Sequence, residues 1–253
     1  KKLNQNFNSM IERLKEQQDK LLTTERYEAW ETVARKLAHE IKNPLTPIQL
    51  SIDSLREKYK VKLNNDGKEF EKYLETIDRQ VKDIEKLVNE FSNFARMPSP
   101  LLKKIDIVKI TNKSVDLIKV TSKSSINLIK NTKNVFINGD EDQLNRVFIN
   151  LIKNSEEAFL EKFAKDPNFK GNIDIEIYDN NDYIFIKLTD NGIGITDAKK
   201  AMTPYFTTKK TGTGLGLPIV TKIINEHSGN FSIKNKTNES GTIVKISIPK
   251  LNA

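Results

Sequence analysis

Four groups of residues in this 253-residue chain have types and spacings suited to chemistry. The first is the run Ala38-His39-Glu40-Ile41-Lys42-Asn43-Pro44-Leu45-Thr46-Pro47. A neutral imidazole is a good nucleophile, and its ordinary pKa keeps it largely neutral near pH 7. Attack through one ring nitrogen needs the proton on the other to be held or removed, and Glu40, next in sequence, is placed for that. On a helix with Leu37 and Ile41 turned to the core, His39 is rotated about 200° from Leu37 and points outward. Asn43 is four residues further on and shares its face. Its amide can orient a water for hydrolysis of a phosphorylated group. Pro44 and Pro47 lie inside this helical pattern at a cost on the order of 3 kcal/mol each, so a kink is expected just beyond His39.

The other three groups lie in the second half. Asn150, Lys153 and Asn154 fall on a predicted helix, with the two amides one turn apart. Amide oxygens can ligate a hard cation such as Mg²⁺, and Lys153 can add charge against phosphates. The same residues also fit a polar helix face. Asp190-Asn191-Gly192-Ile193-Gly194 ends a predicted strand. Its carboxylate can accept from an exocyclic amine such as that of adenine, and its glycines permit close approach to a ring. Ordinary turn chemistry explains it equally. Thr211-Gly212-Thr213-Gly214-Leu215-Gly216-Leu217 opens a helix, where glycines and free amides make an anion site. It does not continue into the Lys-Ser or Lys-Thr of a P-loop, and no strand directly precedes it as a dinucleotide site requires.

The elements that must hold these residues follow from periodicity. Leu3, Phe7, Met10, Leu14, Gln17, Leu21 and Thr24 step by four and three, forming a coiled-coil seam too short to stand alone. Val33, Leu37, Ile41, Leu45, Ile48, Ile52, Leu55 and Tyr59 stripe one helix. Phe70, Leu74, Ile77, Val81, Ile84, Val88 and Phe91 stripe a second, after the turn residues Asn64-Asn65-Asp66-Gly67. Two such helices cannot bury both stripes against each other, so a dimeric four-helix bundle is expected. Met97-Pro98-Ser99-Pro100 ends the second helix as a stiff connection. Beyond it, helices are expected at Ile107–Val120, Glu141–Phe163 and Leu215–His227, the last closed by Gly229. Strands are expected at Ser125–Lys130, Ile173–Tyr178, Tyr183–Thr189, Asn230–Asn235 and Thr242–Ile248, with a hairpin turn at Asp179-Asn180-Asn181-Asp182. The fold class is therefore α+β, a helical hairpin followed by a mostly antiparallel sheet with helices on one face.

Composition narrows the functions. With no cysteine, disulfides, thiolate metal sites and cysteine catalysis are excluded. No run of 18 apolar residues is present to span a membrane, and the first residues lack a signal-peptide core. The net charge is +8, but the lysines alternate with acids rather than forming a phosphate-tracking stripe, which argues against nucleic acid. His227, in the last turn of its helix, is expected to cap it or sit on the surface.

Together these motifs resemble a known family. His39 through Leu45 resembles the H-box of sensor histidine kinases. The longer run from Tyr27 to Tyr59, with Ala29-Trp30 and Leu45-Thr46-Pro47-Ile48-Gln49-Leu50-Ser51, is similar to the NtrY type of nitrogen-regulation kinase. The three later groups resemble, in order and spacing, the N, G1 and G2 boxes of the histidine kinase, gyrase, Hsp90 and MutL ATP-binding fold. Pro204-Tyr205-Phe206-Thr207-Thr208-Lys209 resembles the F-box of its lid. The resemblance implies that His39 accepts phosphate from ATP, with Glu40 as base and Asn43 as the phosphatase residue. It implies Asn154 as the Mg²⁺ ligand and Asp190 as the adenine reader. Around the nucleotide it implies Asn150, Lys153, Gly192, Gly194, Thr208, Lys209, Gly212, Gly214, Leu215, Gly216 and Thr242. Two positions depart from the family pattern. Ser155 stands where Ala or Gly is usual, and Met202-Thr203 stands where an aromatic or aliphatic residue and Glu commonly precede the F-box proline.

The resemblance divides the chain into a signalling helix (1–26), a dimerisation and phosphotransfer domain (27–98), a linker (99–102) and a catalytic ATP-binding domain (103–253), an α/β sandwich. It implies a homodimer and, as partner, the receiver domain of an NtrX-like response regulator. It also implies the cytoplasmic portion of an inner-membrane protein, with transmembrane helices and a HAMP module ahead of Lys1. An ATP-driven conformational machine would share the N and G boxes but has no use for the H-box. A silent scaffold would not need His39, Asn154, Asp190 and the glycines intact.

Overall fold

A computed structural model describes Met10 and residues 37–38, 40–59, 67–95, 97–132, 135–209 and 212–251. The chain divides into two compact units, Lys1–Met97 and Pro98–Ala253. The expected seam from Leu3 to Thr24 and the turn at Asn64–Asp66 lie, apart from Met10, outside the described residues.

The first unit is an α-helical pair, α1 (40–59) and α2 (Gly67–Ala95). The α1 run is unbroken at Pro44 and Pro47. Leu45, Ile52, Leu74 and Val81 form its buried seam, with Phe70 packed against them. Gln49 Nε2 donates to Asp78 Oδ1 at 2.6 Å, and Arg56 pairs with Glu71 at 2.9 Å. These polar pairs fix the register of one helix on the other. The second half of each stripe is uncovered: Ile41, Ile48 and Leu55 on α1 and Ile77 and Ile84 on α2 are exposed. Leu37, assigned with Ile41 to the core side, is exposed as well, while Ala38 is buried.

The second unit holds β1 (Lys103–Asp106), α3 (Ile107–Lys119), β2 (Ser125–Lys130), β3 (Phe136–Gly139), α4 (Glu141–Lys165), β4 (Asn172–Asp179), β5 (Tyr183–Asp190), α5 (Ala198–Ala201), α6 (Gly216–Glu226), β6 (Asn230–Asn235) and β7 (Thr242–Pro249). Five strands form a sheet in the order β2-β4-β5-β7-β6, and β1 pairs with β3. Only β2 and β4 run parallel; the other neighbours are antiparallel. Alternate residues of the central strands are buried, such as Ile173, Ile175 and Ile177 on β4 and Ile184, Ile186 and Leu188 on β5. That period of two is the signature of a sheet covered on one face. The cover includes Leu144, Phe148, Ile152 and Phe159 of α4 and Val220, Ile223 and Ile224 of α6, all close to fully buried.

Aspartates start three of the helices. Asp106, Asp140 and Asp197 sit in extended backbone, and each side chain accepts from two amides of the following turn. They satisfy the orphan donors of a helix start. At the end of α6 the left-handed residue is Ser228 (φ 56°), and Gly229 closes the helix as expected. Ser228 N donates to Asn225 O and Gly229 N to Ile224 O, the Schellman pattern. Glycine is needed at 229 because a Cβ there would lie 2.6 Å from Ser247 O.

Candidate functional site

His39 lies outside the described residues. Its neighbours Glu40 and Asn43 are on α1 with exposed side chains, so both are accessible to a macromolecular partner.

In the second unit the three motif groups come together at one end of the sheet. Asp190, the last residue of β5, is 3% exposed. Its Oδ1 accepts from Gly192 N at 2.8 Å and Thr242 N at 3.1 Å, and its Oδ2 from Ser155 Oγ at 3.3 Å. The side chain is thus pinned from β7, from its own turn and from α4. Gly192 is required for closeness, since a Cβ there would lie 2.8 Å from Ala158 Cβ on α4. Gly194 has a positive φ of 85°.

The glycine loop reaches the amides of α4. A Cβ on Gly216, the first residue of α6, would sit 3.5 Å from Asn154 Nδ2 and 4.0 Å from Asn150 Oδ1. Asn150 and Asn154 are half-buried there, while Lys153 is exposed. Leu215, the residue before α6, is buried, and no side chain caps the helix start. Unlike α3 and α4, α6 opens without an aspartate, which leaves its first amides for an anion. Among the described residues no three His, Cys, Asp or Glu side chains cluster to hold a metal. A hard cation here would rely on the amide oxygens of Asn154 and Asn150 together with ligand oxygens and water, a set that suits Mg²⁺.

The segment between the two glycine groups folds over this end. Tyr205 has a positive φ of 68°, and its N–H donates to Gly214 O at 3.1 Å. A Cβ on Gly214 (φ 68°) would lie 2.6 Å from the Tyr205 carbonyl carbon. Burial pushes the Tyr205 phenol up to about 12. Gly212 N donates to Lys209 O. Lys209 Nζ pairs with Glu157 on α4, and Thr208 is exposed.

Several contributors were not singled out from the sequence. Asn235 accepts from Ile195 N and donates to Ile195 O, both at 2.7 Å, tying the Gly192–Gly194 turn to β6. Gly241 (φ 135°) lets β7 begin against Asp190, because a Cβ there would lie 2.2 Å from Asp190 O. Lys162 donates to Asn191 O. An asparagine ending a strand and a glycine just before another were the available signals. His227 caps the end of α6, one of the two expected roles, while the other, a surface position, is corrected. It is 3% exposed, not on the surface. Its Nδ1 donates to Ile223 O at 2.8 Å, so Nε2 is free to accept from Asp140 N at 2.9 Å. Burial lowers its pKa, against the opposing effects of Ile223 O and Asp140. A neutral imidazole therefore bridges the end of α6 to the start of α4.

Comparison with known proteins is consistent with this geometry. Residues 139–252 match the family described as histidine kinase-, DNA gyrase B- and HSP90-like ATPases. Residues 29–100 match the His Kinase A (phospho-acceptor) domain. The NtrY-like sensor histidine kinase of Rickettsia felis is 36% identical over 249 residues, 97% of this chain and 40% of that protein. The nitrogen regulation protein NtrY of Azorhizobium caulinodans is 35% identical over 90% of this chain and 30% of its own length. The chain thus spans less than half the length of these relatives. Among solved structures, histidine kinase ThkA in complex with the response regulator protein TrrA superposes with a TM-score of 0.61 at 21% identity, covering 94% of this chain and 67% of that one.

Proposed function

We propose, from the premise that this chain belongs to the sensor histidine kinases, that it is the ATP-dependent kinase core of a two-component sensor. His39 attacks the γ-phosphorus of ATP through one ring nitrogen. The N–P bond forms as the bond to the bridging oxygen breaks, and ADP leaves. Glu40 takes the proton from the other ring nitrogen. Asp190 accepts from the adenine amine, and the uncapped start of α6 with Lys153 and Lys209 meets the phosphates. Mg²⁺, when bound, neutralises phosphate charge, and Asn154 would hold it with Asn150 beside it. The phosphoryl group then passes to an aspartate on the receiver domain of a response regulator, one of the NtrX kind. Asn43 serves the opposite reaction by orienting water against the phosphorylated regulator.

Two chains carry out this cycle. Exposed Ile41, Ile48, Leu55, Ile77 and Ile84 recur at sevens on α1 and α2, as in helices that complete a bundle with a second copy. A signalling helix runs to residue 26, the phosphotransfer domain from 27 to 98, a linker from 99 to 102 and the catalytic domain from 103, and segments upstream attach the protein to the inner membrane.

One observation carries the nucleotide reading. Gly216 at the start of α6 faces the Asn154 amide with room for no more than a methyl between them, while Asp190 is held buried by donors from α4, β7 and its own turn. The test is incubation with Mg-ATP labelled in the γ position. Acid-labile phosphate should appear on the chain and be lost in His39→Gln, with ATP affinity nearly intact. Label retained in that variant, or ATP affinity lost tenfold, would sink the assignment of His39.

A further inference from the structure

Ser155 follows Asn154 on α4, a helical step of about 100°, and is 97% buried, being 3% exposed. Its hydroxyl lies 3.2 Å from Leu151 O and 3.3 Å from Asp190 Oδ2. A carboxylate offers about four lone-pair positions in its plane. On Asp190, Gly192 N and Thr242 N take the two on Oδ1, and Ser155 Oγ takes one on Oδ2. No other donor among the described residues bonds to Oδ2.

We infer that Ser155 is a positioning residue for base selection: its hydroxyl holds Oδ2 so that the one remaining lone pair is aimed at the 6-amino group of a purine nucleotide. The inference rests on the proposed reading of Asp190 as the adenine acceptor and adds a second residue to it. A hydroxyl has a single proton, so the bond to Oδ2 competes with back-bonding to Leu151 O. An amine drawing on the other lone pair of Oδ2 does not need that proton. Ser155 can therefore stay on Asp190 as ligand binds. A methyl group at this position leaves Oδ2 with two equivalent open directions and lets water occupy either. An alanine here gives no such direction, so this chain should discriminate at purine position 6 more strictly than a Ser155→Ala version of itself.

The experiment measures dissociation constants of the full chain for ATP and for purine riboside 5′-triphosphate, which lacks the 6-amino group. In Ser155→Ala, ATP affinity should fall about fivefold, the size expected for one hydrogen bond, while affinity for the analogue stays within twofold. Parallel loss on both nucleotides would mean a packing role only and would overturn the inference, as would no change on either. A second measurement guards against a folding defect. On an Asp190→Asn background the Ser155→Ala change should have no selective effect, because Ser155 acts through the carboxylate. A selective effect surviving there would reject the inference. If Asp190→Asn alone left the preference for ATP untouched, the base-reading assignment itself would fail, separately from Ser155.

Discussion

Replacing Asp190 by Asn keeps the side chain's shape and changes what it can accept. One terminal atom becomes a donor, which must face either the Gly192 and Thr242 amides or Ser155 and the base. Facing the amides, it sets donor against two donors. Facing Ser155, whose hydroxyl can turn its proton to Leu151 O and accept, it sets donor against the base amine. A buried donor left without an acceptor costs about 1–3 kcal/mol. Asp190→Asn should therefore weaken ATP binding tenfold or more and narrow its preference over GTP, which presents a carbonyl where ATP has an amine. Calorimetric titration of both nucleotides checks this. At His227 the expectation concerns pH. Burial keeps the folded ring neutral, so its pKa lies below the unfolded value of about 6.5. Below that value the unfolded chain binds a proton that the folded chain refuses, so this contribution to stability is present above about pH 6.5. It is lost as pH falls through the depressed folded value. Thermal midpoints of the full chain from pH 7.5 to 5 should drop, and His227→Gln should flatten the slope. An equal slope in both proteins would show that the Asp140–His227–Ile223 bridge is not what titrates.

Two glycines, one opening α6 and one just before β7, separate stability from binding. A Cβ on Gly241 would lie 2.2 Å from Asp190 O at a φ of 135°, so Gly241→Ala should destabilise the second unit by on the order of 3 kcal/mol. A Cβ on Gly216 meets only ordinary contacts. Gly216→Ala should fold with little change in melting temperature yet lose nucleotide affinity, because the methyl fills the space between α6 and Asn154. The lid carries its own counterweight in the Lys209–Glu157 pair. Both side chains are partly exposed and screened, so Glu157→Gln should tighten ATP binding only two- to fivefold, an effect that shrinks at high salt. The sequence disclosed the elements whose patterns are local: β4 and β5 alternate strictly, and α4 and α6 keep a helical stripe. It did not disclose β1 and β3, four residues each, because so short a strand has no period to read. For His227 the capping role was legible, but its burial was not, because its second partner, Asp140 N, is a backbone group 87 residues away. The motif glycines and Asp190 were legible from their spacing. Ser155 was visible as a departure, but its contact with Asp190 is made by folding.

For the molecule as a whole, the uncovered half-stripes of α1 and α2 predict that the oligomeric state resides in the first unit. A charge in the middle of that stripe, Ile84→Glu, should convert a dimer to monomers in sedimentation velocity while leaving ATP affinity unchanged. Retention of the dimer would mean that Ile77 and Ile84 face solvent in the assembled protein. Asn43→Ala should keep autophosphorylation and slow dephosphorylation of the regulator, checked by following labelled regulator with time. An unslowed rate would remove Asn43 from that step.

Asp190 and Thr242 are adjacent in space, yet between them the chain leaves the sheet, passes through the glycine loop, the lid and α6, and rejoins the sheet only at its edge strand β6 before β7 begins. The β4–β5 hairpin closes over a short turn, in which Asn180 Oδ1 accepts from Asp182 N and Tyr183 N. It can form early. Joining β7 to β5 must wait for closure of the long excursion, which is entropically slower. The Thr242 donor to Asp190 arrives only with that closure, so a binding-competent pocket is a late product of folding. Saturating ATP should then slow unfolding of the second unit while leaving its refolding rate unchanged, a difference that denaturant-jump kinetics with and without nucleotide would resolve. Faster refolding in ATP would place the pocket before the closing strand.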